Sequence, residues 1–279
     1  MNQNPLFRHF RQPAIYFKLP SNGCFWPDGS LVMPPNNELP VLPMTARDEI
    51  VLRTPDALLN GAGIVDVIQS CCPNIKNAWD MPSIDVDATL IAIRIASYGQ
   101  TMEIETQCPT CRETNEFGVA LSPILESIQS PNYKKKLTVN GLDIMFKPQP
   151  YFAANKINML KFQEDQVMKI ISDSSLSDEE RKKQFDEQLK RLTDLNIERI
   201  AASTASITTE MGEIVTSQEF IREFYSNSSS DVIKQVRTAI LELAKEAELK
   251  PHDTACPACS AAYKVSMEFN QTNFFGTGS

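Results

Sequence analysis

The stretch Met102-Glu103-Ile104-Glu105-Thr106-Gln107-Cys108-Pro109-Thr110-Cys111, continued by Arg112-Glu113-Thr114-Asn115 and then by Phe117, Val119 and Leu121 alternating as a second strand, decides how the chain is organised. Apolar and polar residues alternate on both sides of a C-P-x-C turn, the pattern of two strands joined by a cysteine knuckle. A second knuckle, Cys256-Pro257-Ala258-Cys259, feeds Tyr263, Val265, Met267 and Phe269, which alternate with Lys264, Ser266 and Glu268. A two-residue spacer lets both sulfurs of a knuckle reach one ion, and zinc accepts four thiolates tetrahedrally. Cys108, Cys111, Cys256 and Cys259 are therefore the predicted ligands of a closed, structural Zn2+ site.

Residues 112–255 separate the two pairs, far more than the usual spacer of about 15 to 20 residues. A metal does not sense sequence distance, so the spacer reads as an inserted body whose ends lie close together. Other readings of the pairs stay open at this point. They can be redox-active dithiols, although neither sits at a helix start beside a βαβ pattern. They can bind separate ions or none. His252, four residues before Cys256, is either a ligand, a donor to one, or a solvated residue after Pro251.

The chain has 279 residues, 42% of them apolar, which is enough for one large or two modest cores. Lys and Arg number 27 against 35 Asp and Glu, a net charge of −8, which argues against tracking a phosphate backbone. The opening residues MNQNPLFRHFRQ lack the apolar run of a signal peptide, and no window approaches about 18 consecutive apolar residues. The chain reads as soluble and intracellular, without a membrane partner. Seven cysteines, an odd number, argue against a disulfide framework in that setting. Cys71 and Cys72, beside Val67 and Ile68, read as buried core thiols.

Residues 1–44 form a proline-rich N-terminal arm with turns at Ser21-Asn22-Gly23 and Pro27-Asp28-Gly29. Residues 45–121 read as a region of short helices ending in the first knuckle. Thr45 and Asp48 suggest a capping box, Thr54-Pro55 a second helix start, and Ile64–Cys72 a further helix stopped by Pro73. Asp85 or Asp87 opens a helix over Ala88–Tyr98 that is apolar nearly all round and so is the buried centre. Residues 122–249 read as a β-hairpin turning at Asn140-Gly141, followed by a mostly helical insertion. Its helices are expected near Ala153–Ile171, from Ser177 with Glu180 as capping partner and an apolar stripe of Phe185, Leu189 and Leu192, over Ser217–Tyr225, and over Ser230–Leu249. Residues 250–279 carry the second knuckle and a C-terminal strand. The fold class is α+β.

Catalytic signals are poor. Only His9 and His252 are present, and there is no P-loop, no GxGxxG, no G-x-S-x-G and no H-E-x-x-H. The acidic groups Asp178-Glu179-Glu180 and Glu242, Glu246 and Glu248 read as solvated helix faces. Trp26 and Trp79 lie in Pro-rich turns and read as interface anchors, with core packing the alternative for Trp79.

Phe17-Lys18-Leu19-Pro20-Ser21-Asn22-Gly23, then Leu42-Pro43-Met44-Thr45-Ala46-Arg47-Asp48-Glu49-Ile50, then Thr54-Pro55-Asp56-Ala57-Leu58-Leu59-Asn60-Gly61 follow in close order. Val67-Ile68-Gln69-Ser70-Cys71, Ile75-Lys76-Asn77-Ala78-Trp79 and Ile91-Ala92-Ile93-Arg94-Ile95-Ala96 continue the series. These blocks resemble the T4-type bacteriophage base plate protein family over roughly the first hundred residues. Beyond Cys108 the resemblance weakens, and the knuckles and insertion look like an elaboration. The resemblance implies a non-enzymatic component or assembly factor of the baseplate hub in a contractile tail. Its partners would be other baseplate hub and tail proteins, with no small-molecule substrate and no nucleic acid. It would act in the host cytoplasm during assembly and then in the virion, or leave before completion. The alternative from another class is a zinc-ribbon nucleic-acid-binding accessory factor. A third, a thiol oxidoreductase, requires reactive thiolates at the knuckles.

Overall fold

The computed structural model describes residues 5–54, 60–160, 178–249 and 251–265, with the side chains of 7, 8, 178–189 and 252 outside that description. The chain is α+β, and its contacts divide it into two compact units. One comprises Met1–Gln129 with Ala247–Ser279, the other Ser130–Glu246.

The first unit is built around α3 (Ser83–Tyr98), which follows α1 (Ala46–Leu52) and α2 (Ala62–Cys71). Val86, Leu90, Ile91, Ile93 and Ile95 are all buried, so α3 is covered on every side as its composition requires. It ends at Gly99, whose φ of 93° few other residues adopt. Thr45 and Asp48 close a reciprocal capping box on α1, matching the sequence reading. Cys71 and Cys72 are buried, and desolvation pushes the Cys71 thiol up to about 12 and Cys72 higher still.

Two expectations for this unit change. Asp85 does not cap α3; the helix starts a full turn earlier, behind Pro82, and Asp85 is buried in its first turn. Its carboxylate instead accepts from the Ser21 N–H, the Ser21 hydroxyl and the Trp26 indole at 2.8, 2.5 and 2.9 Å. Trp26 thus anchors the fold. The proline-rich stretch is likewise packed into the body rather than standing off it as an arm. β1 (Ile15–Phe17) pairs antiparallel with β2 (Leu39–Val41), and Phe17, Leu19, Leu39 and Val41 are buried. Prolines are tolerated because these strands are three residues long and the rest of the segment satisfies its amides in turns. Arg11 adds a clamp from the preceding segment: one guanidinium nitrogen donates to the Pro43 carbonyl and to Asp48, the other to the Ser70 carbonyl and hydroxyl.

After α3 come β3 (Thr101–Gln107) and β4 (Thr114–Ala120), the expected pair of strands, which form an antiparallel hairpin with Thr101 opposite Ala120 and Gln107 opposite Thr114. Leu121 does not extend β4; it begins α4 (Leu121–Ser127) and is fully buried.

The second unit has more sheet than expected. β5 (Leu137–Val139) and β6 (Leu142–Phe146) form the Asn-Gly hairpin, with φ of 49° at Asn140 and 75° at Gly141. β7 (Thr204–Thr208) and β8 (Ile214–Val215) extend it to a four-stranded antiparallel sheet in the order β5-β6-β7-β8. Residues 151–160 are helical, and α5 (Asp178–Ala202), α6 (Gln218–Ser226) and α7 (Ser230–Ala247) follow. The expected Ser217–Tyr225 helix is α6, capped by Ser217, and Val232, Val236 and Leu243 bury one stripe of α7. In α5, Ile200 and Ala201 are buried, whereas Leu192, expected on the packed face, is exposed. The expected Thr54-Pro55 helix, the Ser177–Glu180 box, Phe185 and Leu189, and the tail strand beyond Val265 lie outside the described residues.

Candidate metal centre

Each knuckle sits at the tip of a hairpin. The first joins β3 to β4; the second joins β9 (His252–Ala255) to β10 (Ala262–Val265), which pair antiparallel. β9 is absent from the sequence reading because His252-Asp253-Thr254-Ala255 has no apolar alternation.

The two tips are built alike. The Cys108 N–H donates to the Glu113 carbonyl and the Arg112 N–H donates back to the Cys108 carbonyl, both at 2.9 Å. The Cys256 N–H donates to the Ala261 carbonyl at 2.9 Å, and the Ser260 N–H donates to the Cys256 carbonyl at 2.8 Å. The residue after each second cysteine is left-handed, Arg112 at φ 62° and Ser260 at φ 58°. The amides of Thr110 and Cys111 reach the Cys108 sulfur, and those of Ala258 and Cys259 reach the Cys256 sulfur. Cys108 and Cys256 are buried while Cys111 and Cys259 are exposed, so the buried–exposed pattern repeats as well.

All four sulfurs lie within 4.8 Å of one another, although the pairs are far apart in sequence. The Cys108–Cys259 and Cys111–Cys256 sulfur distances are 3.7 and 3.6 Å. A disulfide would bring two sulfurs to about 2.05 Å. Four metal–sulfur bonds of about 2.3 Å in a tetrahedron set edges near 3.8 Å, close to what is seen. The cluster fits a metal ion.

Protonation inside the cluster is uneven. Amide hydrogen bonds from Cys111 and Thr110, against desolvation, hold the Cys108 thiol below the usual range. At Cys256 desolvation is outweighed by the Cys259 and Ala258 amides and by the Cys111 and Cys259 thiols, and its pKa falls to about 6. A Glu113 backbone hydrogen bond favours ionisation of Cys111, but the Cys259 sulfur, burial and the remaining cluster sulfurs push it up to about 12. The Cys108 and Cys256 sulfurs are thus favoured as thiolates, whereas Cys111 is not, and a bound cation would favour its ionisation.

Between the hairpins lies a polar contact that the sequence reading missed. Asn115, buried on β4, directs its Nδ2 at Cys256 Sγ, 3.5 Å away, and at the Tyr263 hydroxyl, 3.3 Å away. The Tyr263 hydroxyl also meets Thr106 Oγ1 at 2.9 Å, and its ring packs edge-on to Phe117 with centroids 6.3 Å apart. The available signal was an Asn in the inward series 115, 117, 119 of an otherwise apolar face. The His252 backbone pairs with Val265, but the ligand reading of His252 falls on a side chain outside the described residues. His9 is exposed in a short 3-10 turn, Pro5–His9.

Residues 33–276 match the family described as T4 bacteriophage base plate protein, and the chain belongs to that family. It is a phage baseplate protein. The match runs well past residue 100, so both knuckles and the segment between them lie within the family's extent rather than beyond it. The Phe17–Gly23 block lies before it. No curated protein and no solved structure matches the chain. Among the described residues no helix is long and apolar enough to cross a membrane.

Proposed function

We propose that this chain is a non-enzymatic component or assembly factor of the baseplate hub, acting through contacts with other hub and tail proteins. A zinc ion held by Cys108, Cys111, Cys256 and Cys259 is its structural staple. The observation that carries the reading is the family match together with a four-sulfur cluster inside it. Four thiolates around one dication leave no coordination position for substrate, which suits a structural role. The staple would fix the chain entering the inserted body at residues 122–249 to the chain leaving it. Assembly would take place in the host cytoplasm, where thiols stay reduced.

The knuckles by themselves also suit a nucleic-acid accessory factor. Against this, Lys264 beside the second knuckle faces Asp253 at 3.8 Å, and the first hairpin carries Glu103, Glu105, Glu113 and Glu116.

Quantitative mass spectrometry of purified virions against infected-cell lysate tests the reading. Stoichiometric copies in the virion mean a hub subunit, and abundance in lysate alone with hub proteins co-purifying means an assembly factor. A chain in neither setting associated with hub proteins, or one that binds DNA or RNA with a steep salt dependence, overturns it. Elemental analysis giving no zinc in the reduced protein overturns the staple.

A further inference from the structure

Asn115 and Tyr263 hold the same place in the two hairpins, each seven residues after the first cysteine of its pair. Because the tips share their hydrogen bonding, these two positions face one another, and Asn115 Nδ2 reaches the Tyr263 hydroxyl. The likeness stops at the side chains. Asn115 also reaches the sulfur of the opposite knuckle, Cys256, whereas Tyr263 reaches Thr106 on the first hairpin.

The orientation of the Asn115 amide is fixed by its surroundings. Nδ2 also donates to the Glu113 carbonyl at 3.2 Å, and a carbonyl only accepts, so the nitrogen belongs on that side. Its two hydrogens are therefore shared among Glu113 O, Tyr263 Oη and Cys256 Sγ, one of them bifurcated, while Oδ1 lies 3.8 Å from the same sulfur. A buried amide is costly to leave unpartnered, and this one has partners on both hairpins.

We infer that Asn115 is a positioning residue for the metal centre, fixing Cys256 Sγ toward the ion by an N–H···S bond, with Tyr263 holding the Asn115 amide in place. The inference rests on the zinc reading above. A donor to a ligating sulfur draws charge from it and restricts its rotamer, so its loss weakens the metal and changes the metal–sulfur bond.

The experiment uses the full chain, reduced, as wild type, Asn115→Leu, Asn115→Asp and Tyr263→Phe. Zinc affinity is read by chelator competition, and the thiolate-to-metal charge-transfer band is read after Co2+ substitution. Wild type should bind one ion. Asn115→Leu should bind about 10- to 100-fold more weakly with a displaced charge-transfer band, and Tyr263→Phe should show a smaller loss in the same direction. Asn115→Asp keeps the shape but turns the donor into an acceptor; it should lose at least as much affinity, and it decides the matter if the Leu variant does not fold. Wild-type affinity and an unmoved band in Asn115→Asp overturn the inference, because a merely structural residue would change stability and leave the band in place. If wild type itself binds neither Zn2+ nor Co2+, the zinc reading has failed and the inference falls with it, a result distinct from intact binding in all variants.

Discussion

The Ser21 N–H and hydroxyl both close on the Asp85 carboxylate, tying a turn of the proline-rich segment to the first turn of the central helix. The Trp26 indole N–H completes the set on Oδ2. Three donors converge on one buried acid.

That geometry makes Asp85→Asn destabilising although it removes a buried charge. One amide nitrogen would face N–H or O–H donors where a carboxylate oxygen now accepts, at a cost of about 1–3 kcal/mol in urea unfolding at pH 7. An unchanged midpoint would show that the donors do not depend on the acid.

Asp85 also carries a pH signature. Desolvation, opposed by the Ser21 and Trp26 hydrogen bonds, raises its pKa from 3.8 to about 6, so the folded chain binds this proton more tightly than the unfolded one. Its contribution is fully present below about pH 4 and is lost as pH rises through about 6. The stability advantage of wild type over Asp85→Asn should therefore narrow between those limits by on the order of 1–3 kcal/mol. A gap that is flat with pH would refute the assignment.

Arg11→Lys should destabilise by about 1 kcal/mol even though the charge is kept. A lysine cannot reach the Pro43 carbonyl, the Ser70 carbonyl and hydroxyl, and Asp48 at once, as the guanidinium fork does. Thermal unfolding of Arg11→Lys beside wild type checks it, and an unchanged midpoint would contradict it.

Gly141→Ala should cost about 1 kcal/mol or more. The position has φ 75° in a two-residue hairpin turn, and an added Cβ would meet the Glu210 side chain. The Glu210 side chain can move away, so a Gly141→Ala, Glu210→Ala double variant isolates the backbone strain and should recover only part of the loss.

Zinc titration into the reduced chain at pH 7.5 should release protons, since the Cys111 thiol is held protonated to about 12 in the metal-free cluster. Calorimetry in two buffers of different ionisation enthalpy counts them; identical heats in both would contradict this. Cys108→Ser should lose the bound metal and lower the melting temperature, while Cys24→Ser should retain both.

The gathering of the four sulfurs was legible because its signal is local: two C-P-x-C turns mark themselves as candidate ligands by spacing alone. The central helix was equally plain, since a segment apolar on all sides has nowhere to go but the interior. What escaped detection was set by tertiary contacts. Asp85 looked like a helix-start acid, and only Ser21 and Trp26, distant in sequence, make it a buried acceptor. β7 follows directly on a long helix as Thr204-Ala205-Ser206-Ile207-Thr208, polar enough to pass for a loop until β6 pairs with it. The prolines at 34, 35, 40 and 43 read as an irregular arm, whereas Leu39 and Val41 between and beside them are fully buried. Asn115 was passed over as the end of the Arg112-Glu113-Thr114-Asn115 link ahead of the second strand, whereas β4 already runs through it.

The gathering of Cys108 and Cys111 with Cys256 and Cys259 also sets an order in time. Synthesis runs from the N-terminus, so the first pair emerges and waits while residues 112–255 are made. Through that interval the nascent chain offers two thiols, and a dication is held firmly only once all four have arrived. On the proposed zinc reading, metal loading would mark translation that has passed residue 259, and a fragment released earlier would be distinguishable from the longer chain by its lack of metal.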